Sequence, residues 1–299
     1  MVAEKDEEKR AGRGLRRRRT SQFYLIWLRF KRNRLALVGL SIVIIVILIA
    51  LLAPVISPHD PYVTRPLRKL EGPSLEFPLG TDNLGRCVLS RLFYGSRIAL
   101  QIGVLIILFE GSIGVFMGLI SGFFGGWVDE IVMRLVDVLR SFPVIVLAMA
   151  IAGIMGQGIY NVVIALGIVG WTTYARMVRS KILSIKEEDY VEAAYSIGEP
   201  SYSVIARYVL PNALPTAIVM MAIMMPTALI ASATLSFLGV GVQPPTPSWG
   251  SMVSAGRDYL LEAPWISTFG GLFIMFTVLG FNFLGDGLRD ALDPTTSQR

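Results

Sequence analysis

The stretch LALVGLSIVIIVILIALLAPVI, residues 35–56, contains 22 consecutive residues without a charged side chain. A helix needs about 20 mostly apolar residues to cross the hydrocarbon core of a bilayer, so this stretch predicts a membrane span. The chain as a whole is 53% hydrophobic and only 17% charged. The predicted fold is therefore all-α, a polytopic membrane protein with six transmembrane helices. The other five spans are expected at about 98–122, 143–157, 160–175, 212–236 and 264–284.

Positive charge is concentrated at the N-terminus, where residues 1–34 hold 12 of the 28 lysines and arginines. A run such as Arg16–Arg19 also occurs in segments that bind nucleic acid. A basic segment directly before a membrane span is instead typical of retention in the cytoplasm, where it contacts anionic lipid. The preferred interpretation is therefore a cytoplasmic segment beside the lipid bilayer, with no nucleic-acid partner.

The remaining positive charge supports one orientation, in which both termini are cytoplasmic. Four cytoplasmic segments then hold 21 lysines and arginines, and two external segments hold 7. This asymmetry follows the positive-inside rule and supports a multi-pass membrane protein whose N- and C-termini are both cytoplasmic. The cytoplasmic segments are 1–34, 123–141, 172–210 and the tail 285–299, and the external ones are 57–97 and 237–263.

Residues 127–143, WVDEIVMRLVDVLRSFP, predict an amphipathic helix at the membrane surface or at the wet end of a span. Glu130 and Arg134 form an i,i+4 pair on its polar side. Its apolar positions recur at helical spacing, at Trp127, Ile131, Leu135 and Leu139.

The stretch YVEAAYSIGEPSYSVIARYVLPN, residues 190–212, is a polar interruption between the fourth and fifth predicted spans. Residues 188–197 are predicted to form a short helix whose small alanines let another surface approach closely. Gly198 suits the position just past a helix end, where a positive φ costs a glycine little. Pro200 suits the first turn of a second helix.

The end of this stretch is expected to lead into the fifth span. Pro211 should end the second short helix, because proline has no N–H for the helical ladder, and Asn212 should cap the span. Two short helices at a fixed angle would form a rigid lever. Glu192 would give the tip of that lever a charge for a partner to bind.

The spacing of this stretch resembles the signature loop of permease subunits of binding-protein-dependent ABC importers. The matching positions are Glu192, Ala193, Ala194, Gly198, Tyr208, Leu210 and Pro211. Five further stretches resemble the dipeptide/oligopeptide (Dpp/Opp C-type) subgroup of that family, in the family's order. They are FPLGTDNLGRCVLSRLFYGSR (77–97), GFFGGWVDEIVMRLVDVLRSFP (122–143), YARMVRSKILSIKEEDYVEAA (174–194), LSFLGVGVQPPTPSWGSM (235–252) and NFLGDGLRDALDP (282–294).

The resemblance implies a multi-pass protein of the inner (cytoplasmic) cell membrane. Its MetI-like permease core of five helices lies at 98–284 and is preceded by one further helix and an external loop. It also implies that residues 188–200 form the coupling loop that docks on an ATPase subunit. The implied partners are a second homologous permease subunit in a heterodimer, two ABC ATPase subunits and an extracytoplasmic solute-binding protein. The implied coupling residues are Glu192, Ala193, Ala194, Gly198, Leu210 and Pro211.

The substrate expected from the resemblance is a peptide, a dipeptide or an oligopeptide. Relatives of the subgroup import nickel, glutathione or oligosaccharides by the same machinery, and these stay open as alternatives. Two alternatives come from other classes of protein. One is a proton-coupled carrier that uses Glu110, and the other is a structural membrane scaffold.

The sequence contains no GxxxxGK[ST] phosphate-binding loop. ATP and magnesium are therefore expected on partner ATPase subunits, and neither a cofactor nor a catalytic residue is expected in this chain. Cys87 and His59 are the single cysteine and the single histidine. They exclude an intrachain disulfide and a metal site built from several Cys and His ligands.

Glu110 lies in the middle of the second predicted span, in LIILFEGSIGVF, residues 105–116. A charged group at that depth costs roughly 2.5–3.5 kcal/mol on insertion scales, so Glu110 is predicted to face the bundle interior. There it either meets a substrate ammonium group in the translocation pathway or forms a hydrogen bond with a neighbouring helix. Met221 and Met225 in the fifth span are candidates for the same pathway or for ordinary packing.

Overall fold

The computed structural model describes residues 27–28 and 30–292. Most of the predicted basic N-terminal segment, and the tail beyond residue 292, lie outside the described residues. The described part is helical almost throughout and contains no β-strand, only an isolated bridge between Thr81 and Cys87. The helices are α1 (Arg34–Ile56), α2 (Val88–Phe124), α3 (Gly126–Arg140), α4 (Val144–Met155), α5 (Ile159–Lys186), α6 (Asp189–Ser196), α7 (Ser201–Val204), α8 (Leu210–Phe237), α9 (Trp249–Arg257) and α10 (Trp265–Leu292). A short 3-10 helix lies at Pro66–Arg68, and a π-helical segment lies at Ile205–Val209.

Five helical stretches of the described chain are long and apolar enough to cross a membrane. They are α1, α2, α5, α10 and the continuous stretch Ser201–Phe237, which includes α7 and α8. These helices confirm five of the six predicted spans, although α2 begins at Val88 rather than at residue 98.

The third predicted span, 143–157, differs in the structure. It corresponds to α4, which has 12 residues and is too short to cross a bilayer by itself. The axes of α3 and α4 meet at an angle of 87°, and only the two helices together reach the length and composition of a span. The chain bends here because Pro143 lacks the N–H that would continue α3. The described residues therefore contain five spans, or six when the bent pair is counted as one.

Glycines on α2 let this helix lie close against α5. Gly114, Gly118 and Gly122 recur every four residues on one side of α2, a pattern typical of close helix packing in membranes. A Cβ atom at Gly118 would lie 2.6 Å from the carbonyl oxygen of Ala175 and 2.8 Å from Cβ of Val178. Larger side chains would force the two helices apart. α8 packs against both helices and completes the centre of the bundle.

The first helix is attached to the last one. α1 packs along α10, where a Cβ atom at Gly39 would lie 2.7 Å from the carbonyl oxygen of Gly280. Asn33 caps α1, because its side-chain oxygen accepts hydrogen bonds from the N–H groups of Leu35 and Ala36 at 3.0 and 3.2 Å. The cap fixes where the span begins.

A buried ion cluster folds the connection between α1 and α2 onto the bundle. The Asp82 carboxylate lies 2.7 Å from Arg86 and 3.6 Å from Arg91, and all three side chains are almost fully buried. Arg91 also donates hydrogen bonds to the carbonyl oxygens of Pro61 and Pro245, at 3.0 and 3.3 Å. Arg91 thereby joins this connection to the loop before α9, so the connection is a fixed part of the fold.

α3 turns polar groups toward the bundle and its apolar stripe outward. Asp129 and Asp137 form ion pairs with Arg179 and Arg176 of α5, at N–O distances of 2.5 and 2.7 Å. The predicted apolar stripe starts at Trp127, whose side chain is 73% exposed. An outward apolar stripe suits a membrane, because lipid tails are as apolar as the stripe itself.

Candidate functional site

The segment of residues 188–200 contains α6 and a sharp turn. α6 covers Asp189–Ser196, which confirms the short helix predicted for residues 188–197. Gly198 follows with a φ of +80°. Its N–H donates to the carbonyl oxygen of Tyr195 at 2.9 Å, and the N–H of Glu199 donates to that of Ala194 at 3.1 Å. This pair of hydrogen bonds is the Schellman motif, and its positive φ is why a glycine suits the position.

The continuation of the segment differs from the prediction. Pro200 directly precedes α7 instead of lying within its first turn. The prediction that Pro211 ends the second helix was wrong, because the chain stays helical through the π segment 205–209 and into α8. The wider π turn accommodates a residue that has no N–H and whose ring needs room. Asn212 is not a cap and donates its side-chain N–H to the carbonyl oxygen of Tyr208 at 2.6 Å.

Buried apolar contacts hold the segment against the ends of α5 and α8. Val191 and Ala194, on one side of α6, belong to the same buried cluster as Ile182 and Ile185 of α5. The cluster also includes Ala213 near the start of α8. Burial of a valine side chain stabilises a docked element by about 1.5–3 kcal/mol. The segment is therefore fixed to the two helices that it connects.

The opposite side of the segment is exposed. Glu192 and Ala193 lie on this side, whereas their neighbour Ala194 is buried. Farther along the chain, Ile197 and Tyr202 are 78% and 77% exposed. Large apolar side chains next to an exposed carboxylate are typical of a contact surface for another protein.

The other predicted coupling residues lie at the base of the segment. Leu210 is half-buried and Pro211 is exposed, and both belong to the first turn of α8. Glu199, just after the glycine turn, forms an ion pair with Arg207 of the π segment at 3.1 Å. This ion pair links the turn to the start of the long helix.

Glu110 faces the inside of the bundle. It lines a cavity of about 390 Å³ that lies between α2, α4, α5 and α8. The carboxylate lies directly against Gly170 of α5, where a Cβ atom would overlap with Oε1. Within the described residues it has no hydrogen bond and no charged partner. The predicted alternative of a hydrogen bond to a neighbouring helix is therefore not formed there.

Met221 and Met225 lie against glycines of α2 and not at the wall of this cavity. The methyl carbon of Met225 would be 2.6 Å from a Cβ atom at Gly103, and Met221 occupies the space beside Gly111. Met224, which projects from another side of α8, lines the cavity. The placement of Met221 and Met225 is that of packing residues, and their role in a pathway stays a prediction.

Three polar residues that the sequence did not single out line the Glu110 cavity. They are Arg140 at the end of α3, and Thr173 and Tyr174 on α5. The hydroxyl of Tyr174 is buried and has no hydrogen-bonding partner among the described residues. Tyr174 lies four residues after Gly170 and hence on the same side of α5. This helical spacing is the one feature of the sequence that could have indicated its position.

These features define a class of protein. Closely packed membrane helices, a mostly apolar cavity with a few polar groups between them, and an exposed helical segment at one end are features of a transport permease subunit. The family model of the "Binding-protein-dependent transport system inner membrane component" matches residues 114–298, and that of the "N-terminal TM domain of oligopeptide transport permease C" matches residues 21–73. The chain belongs to the family of ABC transporter permeases that the first of these models describes.

Curated relatives agree with this assignment over most of the chain. The dipeptide transport system permease protein DppC of Alkalihalophilus pseudofirmus is 43% identical over 88% of this chain and 87% of its own length. The oligopeptide transport system permease protein OppC of Bacillus subtilis is 41% identical, with 89% and 88% covered. The glutathione transport system permease protein GsiD of Escherichia coli is also 41% identical, with 90% and 89% covered. The chain is thus similar over most of its length to permease proteins of dipeptide, oligopeptide and glutathione transport systems.

Solved structures confirm the fold. The MetNI methionine ABC transporter, in inward-facing conformations, contains a chain that superposes with a TM-score of 0.55 at 20% identity, over 68% of this chain and 97% of that one. A chain of an amino acid ABC transporter gives a TM-score of 0.53 at 17% identity, with 66% and 92% covered. The shared part is the MetI-like permease fold that the sequence predicted.

Proposed function

We propose that this chain is the transmembrane permease subunit of an ATP-driven ABC importer and forms half of its translocation pathway. The cargo is a di- or oligopeptide, delivered by an extracytoplasmic solute-binding protein. The similarity to DppC and OppC relatives, at 43% and 41% identity over nearly the whole chain, supports a peptide cargo. ATP and magnesium bind to partner subunits, and this chain supplies no catalytic residue.

One observation carries the coupling part of the proposal. The 188–200 segment is exposed on one side, and on the other side its Val191 is buried against Ile182 of α5. α5 and α8, between which the segment lies, also form walls of the Glu110 cavity. A push on the exposed side, through Glu192, is therefore transmitted directly to the helices that line the cavity.

The proposed cycle is alternating access. Binding of ATP closes two ABC ATPase subunits, which moves the docked 188–200 segment and opens the permease core, residues 98–284, to the outside. The binding protein then delivers its solute, and ATP hydrolysis resets the core. A second homologous permease completes a heterodimer, and the N- and C-termini lie in the cytoplasm. The helix at 35–56, the loop at 57–97 and the terminal segments flank this core.

A second cargo has a specific observation in its favour. The glutathione transport permease relative is 41% identical, which equals the identity of the oligopeptide relative. Glutathione is itself a short peptide, so the same pathway chemistry suits it. A comparison of peptide-loaded and glutathione-loaded binding proteins as activators of the ATPase separates the two cargoes.

The experiment that tests this function begins with copurification in mild detergent. Two nucleotide-binding chains and a second permease are expected to copurify with this chain. Absence of any ATPase chain, together with uptake driven by a proton gradient alone, would instead indicate a carrier that uses Glu110. A membrane scaffold would give neither ATPase chains nor uptake.

Substitution of the exposed carboxylate then tests the coupling. Glu192→Lys reverses a charge on the proposed docking surface, and loss of a docking contact of 1–2 kcal/mol corresponds to roughly a 5- to 30-fold loss of ATP-driven uptake. Glu130→Lys is the matched control, because the Glu130 side chain is exposed on α3 and, among the described residues, its ion pair is with the equally exposed Arg134. Equal uptake by the two variants, measured in proteoliposomes, contradicts the proposed coupling role.

A further inference from the structure

The Glu110 cavity contains a carboxyl group and a guanidinium group that the described chain leaves without ionic partners. Glu110 projects from α2, and Arg140, at the end of α3, lines the same cavity together with Thr173 of α5. The Arg140 guanidinium donates a hydrogen bond of 3.3 Å to the Thr173 hydroxyl. None of the salt bridges between described residues involves Glu110 or Arg140.

Two acidic side chains of α3 form ion pairs with α5, whereas Arg140 of the same helix forms no ion pair with a described residue. Asp129 and Asp137 of α3 are engaged by Arg179 and Arg176 of α5. Among the described residues, Glu110 is the one acidic side chain that lines the cavity. A carboxylate that enters the cavity would therefore find Arg140 free of competing anions among the described residues.

The position of Glu110 is set by a glycine. A side chain at Gly170 would overlap with the Glu110 carboxylate, so the absence of a Cβ atom there leaves room for the carboxylate against α5. The Tyr174 hydroxyl, on the same side of α5, is buried without a partner among the described residues. The cavity thus contains polar groups with unused hydrogen-bonding capacity among mostly apolar walls, such as Ile106 and Leu166. Thr172, Thr173 and Thr227 also line it.

We propose that this cavity is a transit site for a zwitterionic peptide, with Glu110 binding its ammonium group and Arg140 binding its carboxylate. This inference rests on the proposed function, since it names the chemistry by which the permease contacts its cargo. The volume of about 390 Å³ falls within the range of small-molecule sites. Apolar walls with a few placed polar groups accept varied side chains and recognise only the charged ends that all free peptides share.

The test measures equilibrium binding of radiolabelled trialanine, its N-acetylated form and its C-terminal amide. The complex is purified with its partner subunits, placed in lipid nanodiscs and used without binding protein, so that the affinity reports the membrane subunits alone. The wild-type complex is expected to bind free trialanine about tenfold or more tightly than either blocked form, because a hydrogen bond to a charged group is lost in each.

The variants are expected to give a crossed pattern. Glu110→Gln should bind free and N-acetylated trialanine equally and still discriminate against the amide. Arg140→Gln should lose discrimination against the amide and still discriminate against the N-acetylated form. A variant that weakens all three peptides by one common factor, or none of them, overturns the assignment of that residue, because a structural role would not distinguish the ends of a peptide.

A second substitution keeps the Glu110 carboxyl group but changes its position. Gly170→Ala should displace the Glu110 carboxylate and reproduce the loss of discrimination at the ammonium end. Gly153→Ala is the control, because a Cβ atom at Gly153 meets nothing within 4 Å. Unchanged discrimination in a folded Gly170→Ala complex contradicts the proposal, as does a wild-type complex without saturable peptide binding.

Failure of this inference is distinct from failure of the proposed function. If the wild-type complex imports peptide from a loaded binding protein but binds all three forms alike, only the transit site is wrong. If no loaded binding protein supports ATP-driven peptide uptake, the proposed function itself is wrong.

Discussion

Replacement of Gly198 by valine is expected to uncouple ATP hydrolysis from uptake. Gly198 has a φ of +80°, and a Cβ atom there would meet no described atom within 4 Å. The effect of a side chain is therefore conformational and not a clash with a neighbour. A residue with a Cβ atom pays roughly 1–2 kcal/mol to stay in the left-handed region, and β-branched residues tolerate it least.

The expected magnitude follows from this cost. A penalty of about 1–2 kcal/mol lowers the population of the native turn roughly 5- to 30-fold relative to its alternatives. The turn sets the angle between α6 and α7, so ATP hydrolysis should continue while uptake per ATP falls. Gly198→Asn should have a much smaller effect, because asparagine visits the left-handed region readily.

The assay compares uptake per ATP hydrolysed in proteoliposomes that contain the full complex. Gly156→Val is the control for backbone strain, because Gly156 also has a positive φ, +84° with a ψ of −178°, but lies in the turn between α4 and α5. That backbone region is essentially restricted to glycine, so this control should lower thermal stability at least as much as Gly198→Val and leave the ratio unchanged. If Gly198→Val and Gly198→Asn give the same ratio as the wild type, the turn geometry is not what couples the subunits.

Two further predictions concern the packing and the buried charges. Gly114→Ala should lower the stability of the complex by about 1–3 kcal/mol, because the new methyl group would overlap with Tyr174 of α5. Thermal unfolding measures this loss. Gly271→Ala is the control, because a Cβ atom at Gly271 would meet no described atom within 4 Å. Asp82→Asn should cost about 3–5 kcal/mol, because it leaves buried guanidinium groups unpaired. Protease cleavage of the connection between α1 and α2 should then accelerate, whereas Asp258→Asn, in an exposed ion pair with 65% of its side chain accessible, should behave like the wild type.

The sequence predicted most spans because length and apolar composition are local properties of a helix. The run at 35–56 became α1, Arg34–Ile56, with almost the same bounds. The exception at 143–157 involves a proline between two short helices, whose mutual angle of 87° depends on what each helix packs against. The direction of the apolar stripe of α3 was unpredictable for the same reason. The 3.6-residue period of the sequence shows that the helix has an apolar side and a polar side, but it does not show which of them faces outward.

The candidate site, like the set of membrane spans, was predicted only in part. The glycine turn at Gly198 follows from the residue itself, since few others accept its backbone conformation. The continuation of the helix past Pro211 could not be predicted from the sequence. A π-helical turn depends on tertiary packing and produces no recognisable period in the sequence. The approach of Arg140 to the Glu110 cavity was equally hidden, since the two residues lie 30 positions apart and on different helices.

The sequence by itself determined that this chain is a membrane-spanning helical protein, where most of its spans lie, and that a short helix and a glycine turn interrupt them. Those properties depend on transfer to lipid and on backbone preference, which act residue by residue. The tertiary structure alone decided that Met224 and not Met221 or Met225 lines the cavity, that Gly170 makes room for the Glu110 carboxylate, and how α3 is turned. These outcomes depend on which helices meet and at what rotation, and close packing of many side chains at once sets that rotation.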